Sequence, residues 1–424
     1  MEFIQAFLFT SKYILGRNGN LDIFYMFSAF ALLFYMWKRH DKLKLIVQIF
    51  VPVAVVTMGM AFLYPWANTE RCFIFMAKML LNITLLVFVA CNCKKWKIGR
   101  FVTTISYIHG IETFIALFLK GSSLWASEEM LDGAESVLRL RLFYKDAGAM
   151  AFASGLTLVI LVYLILKEDI VWQYVLGIVI AAIDLFLSYG VGGIACAVFA
   201  IVLMLLMSSI YNKQNGRNQL AKKTLFGARI ATVVAACALL VNTTYLGRIN
   251  AIANGTDYYL NIKLINPLNN LSNILKQTHF LGVGFGNGNT SVALKMMNAG
   301  IAYPNSFIRI ISEGGIFGIA LVLISIFVVG YYCFKYGNLM SRALFIYITL
   351  YQMIGGYFTD PTNYFIYGWI IGESLNKKVA ITGDCKIKLF KPIEKDKLKI
   401  AMIGDREIIG TTKKSLEFAG VLAL

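Results

Sequence analysis

Long apolar stretches occupy most of this chain and constrain its fold more than any other feature. A helix needs about 20 mostly apolar residues to cross a bilayer, and about eleven stretches approach that length. Backbone groups in lipid must bond within the protein, and the stretches lack the alternation of a β-barrel, so we predict helices. The predicted spans are 22–37, 45–66, 72–92, 99–119, 148–166, 170–188, 191–211, 225–246, 304–334, 342–358 and 363–375.

The composition agrees with a membrane protein. Hydrophobic residues make up 58% of the chain and charged residues 15%, whereas soluble domains have roughly 45–50% apolar and about 25% charged residues. We therefore predict an all-α polytopic membrane protein of about 11–12 transmembrane helices. The short apolar segment Phe3–Leu15 is either an interfacial helix or a distorted twelfth span. The seven cysteines lie mostly inside or at the ends of spans, which indicates packing rather than disulfides or a zinc site.

Basic residues follow alternate spans. The net charge of +17 would suggest nucleic-acid binding in a soluble protein, but here the positive-inside rule explains it, and we expect no nucleic-acid partner. The rule places the C-terminus in the cytoplasm and the N-terminus outside, or inside if Phe3–Leu15 also crosses. The basic clusters are Lys38–Lys44, Lys94–Arg100, Lys213–Arg229, Lys335–Arg342 and the lysines of the tail.

Two long connections fall on the predicted outer side, at 120–147 and at 247–303, the second being a large loop late in the chain. Both belong to a predicted transmembrane domain over 1–375. A basic cytoplasmic tail over 376–424 follows, without a span and without residues to which we assign chemistry.

The first outer connection carries apolar residues at helical spacing. Leucine and alanine residues from 131 to 142 lie three or four apart, which predicts an amphipathic helix over 128–145 on the membrane surface. Arg139 and Arg141 belong to this segment. Outer arginines either contact lipid headgroups or form a positively charged binding site for a diphosphate, whose oxygens can accept two hydrogen bonds from one guanidinium. The sequence leaves both roles open.

The second outer connection contains the glycine-rich segment HFLGVGFGNGNT, which begins at His279. Gly282, Gly284, Gly286 and Gly288 alternate, superficially like a dinucleotide-binding loop. No βαβ unit surrounds the segment, and the predicted outer side lacks nucleotides, so that interpretation fails. The spacing predicts instead a tight irregular turn whose backbone approaches a helix or a ligand closely.

The next span begins with proline and with ionisable residues. Pro304 suits the first position of a helix. Arg309 and Glu313 lie four residues apart on one helix face near the outer membrane surface, and Gly314-Gly315 weakens the helix just below them. An ionisable pair at this depth is either a structural ion pair or part of a functional site.

These residues together resemble the signature of the O-antigen polymerase and O-antigen ligase superfamily. That signature has a Gly-x-Gly-x-Gly turn, then a His-Asn pair, then a helix with an acidic residue before Gly-Ile-x-Gly. In this chain the pair is Pro304-Asn305 and the acidic residue is Glu313. Two more segments are similar to family patches, RLRLFYKDAGAMAFASGL from Arg139 and LSYGVGGIACAVFAIVLML from Leu187.

The chain departs from the family pattern at two positions. Pro304 replaces the histidine of the pair, so a histidine base at that position is absent, and His279 upstream is a weak substitute. Tyr189 replaces the arginine of the third patch, so any phosphate contact there is lost or moved. Both departures favour a polysaccharide polymerase over a ligase.

The resemblance implies a bacterial polymerase of a capsule, an exopolysaccharide or an O-antigen in the cytoplasmic membrane. Its donor would be a glycan on undecaprenyl diphosphate and its acceptor the next lipid-linked repeat unit. Its other partners would be membrane lipid, a chain-length regulator and a flippase. Since the leaving group is already activated, we expect no metal and no cofactor. Positive charge must hold the departing diphosphate, and a base or hydrogen-bond acceptor must orient the acceptor hydroxyl.

We assign these roles to residues on the predicted outer side. Arg309 and Glu313 are the predicted catalytic residues, with Glu313 serving either as the base or to orient an arginine. The predicted substrate-binding residues are Arg139, Arg141, Arg248, Asn305, Gly284 and Gly286.

Three other functions stay open. A ligase would transfer a finished glycan to a different acceptor. A transporter or flippase of lipid-linked sugars would need cationic residues in a central cavity, whereas the spans carry few charges, chiefly Asp184, Glu112 and Lys78. A non-catalytic scaffold of the same assembly would tolerate substitution of the outer arginines.

Overall fold

The structure is a computed structural model, and it describes residues 29–34, 40–95, 97–128, 137–144, 146–167, 171–214, 247, 250–257, 260–296 and 305–382. Several predictions concern residues outside these ranges: the segment Phe3–Leu15, the span 225–246, Arg248, Pro304 and the tail beyond Thr382. The chain divides into two compact units, Met1–Lys377 and Lys378–Leu424. The described part of the second unit is only the last turn of a helix.

Helices make up almost all of the described chain. Besides shorter helical stretches such as 29–34 and 250–253, they are α1 His40–Leu63, α2 Thr69–Asn92, α3 Ile98–Phe118, α4 Ala147–Lys167, α5 Trp172–Leu187, α6 Val191–Gln214, α7 Asn266–Gln277, α8 Ser291–Met296, α9 Ser306–Tyr336, α10 Leu339–Ile354 and α11 Pro361–Thr382. A 3-10 turn at Cys93–Lys95 follows α2, and a π-turn at Asn261–Ile265 precedes α7.

Six of these helices are long and apolar enough to cross a membrane: α1, α2, α3, α4, α6 and α9. Helices α5 and α10 are apolar but shorter. This confirms the predicted all-helical, multi-pass architecture for the described ranges. The full number of spans and the large outer loop late in the chain stay predictions.

Helix α4 lies at the centre of the bundle. It packs against α3, α5, α6 and α10, and these helices share the largest cluster of buried apolar side chains with α11. Tyr347 of α10 is fully buried, and its hydroxyl donates to the backbone oxygen of Phe152 at 2.8 Å. Lipid tails are as apolar as core side chains, so close packing and such hydrogen bonds hold membrane helices together.

The amphipathic helix predicted over 128–145 is wrong for the residues of this range that the structure describes, 128 and 137–144. Strand β1, Trp125–Glu128, pairs antiparallel with β2, Val137–Leu140. The indole Nε1 of Trp125 donates to the backbone oxygen of Ala116 at 2.8 Å, which docks the strand pair on the end of α3. Arg139 is only 3% exposed, whereas a helix on the membrane surface would expose its arginines. Long-range contacts therefore outweigh the helical spacing.

Hydrogen bonds join several helix termini at one end of the bundle. Ser306 Oγ, at the start of α9, donates to the backbone oxygen of Gly355, which follows α10. The Tyr351 hydroxyl donates to the backbone oxygen of Gly148 at the start of α4, at 2.9 Å. The opposite helix ends carry Lys94, Lys97, Lys167, Lys335 and Arg342. By the positive-inside rule, we name the end that holds Ser306 and Gly148 the outer end.

Candidate functional site

Helix α9 is kinked at Gly315, the second of the two adjacent glycines. The backbone there has φ 54° and ψ −130°, a conformation that essentially only glycine adopts. The kink separates a short outer segment, 306–314, from the long apolar segment below it. It confirms the predicted weakening of the helix at Gly314-Gly315.

The glycine-rich loop binds the kinked helix through the backbone. Ile316 N donates to the Phe280 oxygen at 2.8 Å, and Val283 N donates to the Ser312 oxygen at 3.0 Å. Backbone groups freed by the kink are therefore satisfied by the loop, as buried amides and carbonyls require.

Glycines make this contact possible because a side chain would not fit between the two backbones. A β-carbon on Gly315 would overlap the Phe280 oxygen, and one on Gly282 would lie 2.5 Å from the Glu313 backbone oxygen. The alternating glycines thus approach a helix closely, which confirms one of the two predicted alternatives.

The carboxylate of Glu313 anchors the loop to α9. Gly286 N donates to its Oε2 at 2.9 Å, and Gly288 N donates to its Oε1 at 3.1 Å. Arg309 Nε donates to the same Oε1 at 2.9 Å, which confirms the predicted pair on one helix face. The side chain of Glu313 is only 4% exposed. Because its oxygens face donors within the protein, the geometry favours the role of orienting Arg309 over that of a base.

The guanidinium of Arg309 is hydrogen-bonded through Nε, whereas its terminal nitrogens are available to a ligand. Its Nε bonds Glu313, and its guanidinium carbon lies 5.3 Å from the centre of the Tyr357 ring, a cation–π contact. Among the residues that the structure describes, its two terminal nitrogens have no hydrogen-bond partner. With the side chain 19% exposed, these donors can reach phosphate oxygens, which the arginine fork fits.

Asn305 is the N-cap of α9. Its Oδ1 accepts from Ile308 N at 3.1 Å, and its Nδ2 donates to the backbone oxygen of Met353. The residue is extended, with φ −137° and ψ 124°, so the prediction that the helix begins at Pro304 is wrong. Both polar atoms of this fully buried amide are engaged within the protein, and its role in substrate binding stays a prediction.

Replacing Asn305 with alanine is expected to lower the free energy of unfolding by about 1–2 kcal/mol, because α9 loses its cap and Met353 loses a donor. Asn305→Ser keeps a capping oxygen, so its free energy of unfolding should lie between those of Asn305→Ala and the wild type. Thermal unfolding of the purified variants in detergent measures the difference. Equal unfolding temperatures for the wild type and Asn305→Ala would contradict the capping role.

The predicted substrate-binding glycines, Gly284 and Gly286, also form hydrogen bonds within the protein. Gly284 N donates to the Glu313 backbone oxygen at 2.7 Å, and Gly286 N donates to its carboxylate. A β-carbon on Gly286 would lie 2.6 Å from the backbone oxygen of Arg71 in α2. Packing accounts for both glycines, and direct substrate contact stays a prediction.

The two arginines of the first outer connection differ in exposure. Arg139 is 3% exposed, and its Nε donates to the Ser188 backbone oxygen at 2.9 Å, just after α5. Arg141 is partly exposed, and its Nε donates to the Ser123 backbone oxygen at 3.0 Å. Of this pair, Arg141 is the one placed to meet a ligand or lipid headgroup. The third predicted cation, Arg248, lies outside the described residues.

Two residues at this site were missed by sequence reasoning. Asn287 is fully buried and joins the loop to α2, where its Oδ1 accepts from Asn68 N at 2.7 Å. Its only sequence signal is its place between Gly286 and Gly288. Tyr357, which supports Arg309, gives no signal because it is one of many tyrosines at predicted membrane interfaces.

The structure thus gathers Arg309, Glu313, Asn305, Gly284 and Gly286 around the start of α9. Arg139 and Arg141 lie at the same end of the bundle but contact other residues. Within the described ranges, no group of three or more histidine, cysteine or acidic side chains is arranged to hold a metal ion.

Comparison with known proteins adds no family assignment. The chain matches no protein-family model and no curated protein. The resemblance to the O-antigen polymerase and ligase superfamily therefore depends on the short motifs around α9 and on the predicted topology.

Proposed function

We propose that the protein is a polymerase that transfers a growing glycan from undecaprenyl diphosphate to the next lipid-linked repeat unit. The reaction would take place at the outer face of the bacterial cytoplasmic membrane. The observation that carries the proposal is Arg309, a cation fixed by Glu313 and Tyr357 at the outer end of the bundle. Its terminal nitrogens have no partner within the described residues, so they can bind the diphosphate of the lipid carrier.

In this reaction the acceptor hydroxyl bonds to the anomeric carbon of the donor. The bond from that carbon to the diphosphate oxygen breaks, and its electron pair leaves with the diphosphate. Arg309 stabilises the charge that develops on the leaving group, because it is already oriented before the reaction begins. Arg141, partly exposed at the same end, is proposed as a second cation for the lipid carrier, and Arg248 as a third.

A transporter or flippase of lipid-linked sugars fits these observations less well. Such a protein needs cationic groups in a cavity between helices. Arg309 lies instead at a helix start at the end of the bundle. Of the charges predicted within the spans, Asp184 and Glu112 are buried but acidic, and Lys78 is basic but only partly buried.

The test is reconstitution of the full-length protein in liposomes with lipid-linked repeat units extracted from the producing cells. Without nucleotide and with a metal chelator present, we expect a ladder of longer glycans on the lipid and release of undecaprenyl diphosphate. Movement of intact repeat units across the bilayer without lengthening would favour the transporter. Transfer only to a different added acceptor would favour the ligase, and no change in the repeat units would favour the scaffold.

A further inference from the structure

A chain of three titratable side chains is buried beside the outer end of the bundle. Asp184 of α5 is 0% exposed, and His109 of α3 and Tyr144, before α4, are each 1% exposed. His109 Nδ1 lies 3.5 Å from Asp184 Oδ2, and its Nε2 lies 2.9 Å from the Tyr144 hydroxyl. The imidazole and the phenol are therefore hydrogen-bonded, and the imidazole lies close to a carboxylate oxygen that has no hydrogen-bond partner within the described ranges.

We assign the proton positions along this chain from the neighbouring groups. Thr113 Oγ1 donates to Asp184 Oδ1 at 2.6 Å, which orients the carboxylate. We assign the hydrogen of the neutral imidazole to Nδ1, because that nitrogen faces the carboxylate, so Nε2 accepts from Tyr144. Burial raises the pKa of Tyr144 well above its ordinary value, and Glu112, Asp184 and Asp360 raise it further. Tyr144 therefore keeps the O–H that it donates.

Such a group is costly to bury without a function. Ionisable side chains within membrane helices are expensive and are usually functional. Glu112, one helical turn from His109, interacts electrostatically with both His109 and Asp184. It is 8% exposed, and its Oε2 has no hydrogen-bond partner within the described ranges. The cluster thus has an unused acceptor beside its histidine.

Tyr144 links this cluster to Arg141 and Arg309, two of the three arginines that we propose for the lipid carrier. Its backbone N donates to the Arg141 oxygen at 3.0 Å. Asp360 interacts electrostatically with Tyr144, and Asp360 N donates to the backbone oxygen of Tyr357 at 2.9 Å. The Tyr357 ring in turn supports Arg309. Since Glu313 is engaged by three donors, the transfer reaction still needs a base at this end of the bundle.

We propose that Asp184, His109 and Tyr144 form the proton acceptor of the transfer reaction, with Tyr144 meeting the acceptor hydroxyl. This inference rests on the proposed function. Tyr144 is the catalytic residue of the three, and His109 and Asp184 act through it. Because Tyr144 is 1% exposed, neighbouring side chains have to move before the acceptor can reach its hydroxyl.

The proton and the electrons balance in this step. As the acceptor oxygen bonds to the anomeric carbon, its proton passes to the Tyr144 oxygen. The proton of Tyr144 passes to the lone pair of His109 Nε2, and Asp184 stabilises the resulting imidazolium through Nδ1–H. The electron pair of the broken bond leaves with the diphosphate, and His109 later returns its proton to water.

The test is the solvent isotope effect on lengthening by the full chain in liposomes with extracted lipid-linked repeat units. For the wild type we expect a lower rate in D₂O than in H₂O, because one proton passes to Tyr144 and another passes to His109 during the transfer. His109→Gln and Tyr144→Phe should each lower the rate by about 100-fold or more and reduce this isotope effect.

The matched control is His279→Gln, at an exposed histidine in the glycine-rich loop, which should keep the solvent isotope effect of the wild type. A loss of the isotope effect in His279→Gln would assign the proton transfer to His279 and overturn the proposal. The proposal is also overturned if His109→Gln and Tyr144→Phe lower the rate but keep the isotope effect, since that indicates a structural role. If His109→Gln does not fold, Tyr144→Phe alone tests the proposal, because this variant removes the hydroxyl and preserves the buried ring. A wild type that does not lengthen glycans would overturn the proposed function and this inference together.

Discussion

Replacing Arg309 with alanine is expected to lower the rate of glycan transfer by about 100- to 1000-fold while preserving the fold. The rate falls because the departing diphosphate loses a cation that Glu313 and Tyr357 hold in place. The fold persists because Gly286 N and Gly288 N still bind the Glu313 carboxylate without Arg309. The transfer rate of Arg309→Lys should lie between the rates of Arg309→Ala and the wild type, since lysine keeps the positive charge but lacks the two-pronged guanidinium group.

Two measurements check this expectation. One is the rate of lengthening in liposomes, and the other is a gel of glycan from cells that carry the variant in place of the native gene. In cells the ladder should collapse to a single repeat unit. The control is Arg100→Ala, which removes an exposed arginine at the start of α3, at the opposite end of the bundle. It should leave the ladder unchanged when membrane expression is equal.

A normal ladder from Arg309→Ala would contradict the proposed role of this arginine. Loss of the ladder together with loss of the folded protein would show that the pair with Glu313 is structural. Thermal unfolding of the purified variant separates these two results, because the diphosphate role predicts an unfolding temperature close to that of the wild type.

The helices could be predicted from sequence because each must satisfy its own backbone in lipid. Length and apolar composition are local properties, so for several described spans the predicted and observed bounds agree within a few residues. Predicted spans 72–92, 99–119 and 148–166 correspond to Thr69–Asn92, Ile98–Phe118 and Ala147–Lys167.

The strand pair of the first outer connection could not be predicted in the same way. Its position depends on partners that are distant in sequence, such as Ser188, which lies 49 residues from Arg139. Helical spacing from 131 to 142 is a weak signal beside such contacts. The burial of Arg139 follows from this pairing and has no sequence signature of its own.

In the candidate site, too, contacts between residues close in sequence could be predicted, whereas contacts between distant residues could not. The Arg309–Glu313 pair was predictable because four residues on a helix bring two side chains together. The contacts from Gly286 and Gly288 to Glu313 span 27 and 25 residues, and only the glycine spacing hinted at them. Asp184 and Glu112 stood out as charges within spans, but their histidine neighbour was missed. Its partnership with Asp184 depends on how α3 and α5 pack.

Gly315→Ala is expected to lower the free energy of unfolding by about 3 kcal/mol or more and to release the glycine-rich loop from α9. Alanine strongly disfavours the backbone conformation at this kink. Its β-carbon would also overlap the Phe280 oxygen, which accepts from Ile316 N. Because the loop supplies two of the three donors to Glu313, Arg309 would lose its fixed orientation, and transfer should fall with stability.

Thermal unfolding in detergent and limited proteolysis measure these two effects. Phe285 is 2% exposed and stacks on Phe75 with ring centres 4.8 Å apart, so a chymotrypsin-like protease should cleave after Phe285 only when the loop is released. The matched control is Gly59→Ala in α1, where no atom lies within 4 Å of the added β-carbon and alanine favours the helix. If Gly315→Ala unfolded at the same temperature as Gly59→Ala and resisted cleavage equally, the loop would not depend on this glycine. The kink would then be a property of the helix alone, and the docked loop could not be what fixes Arg309.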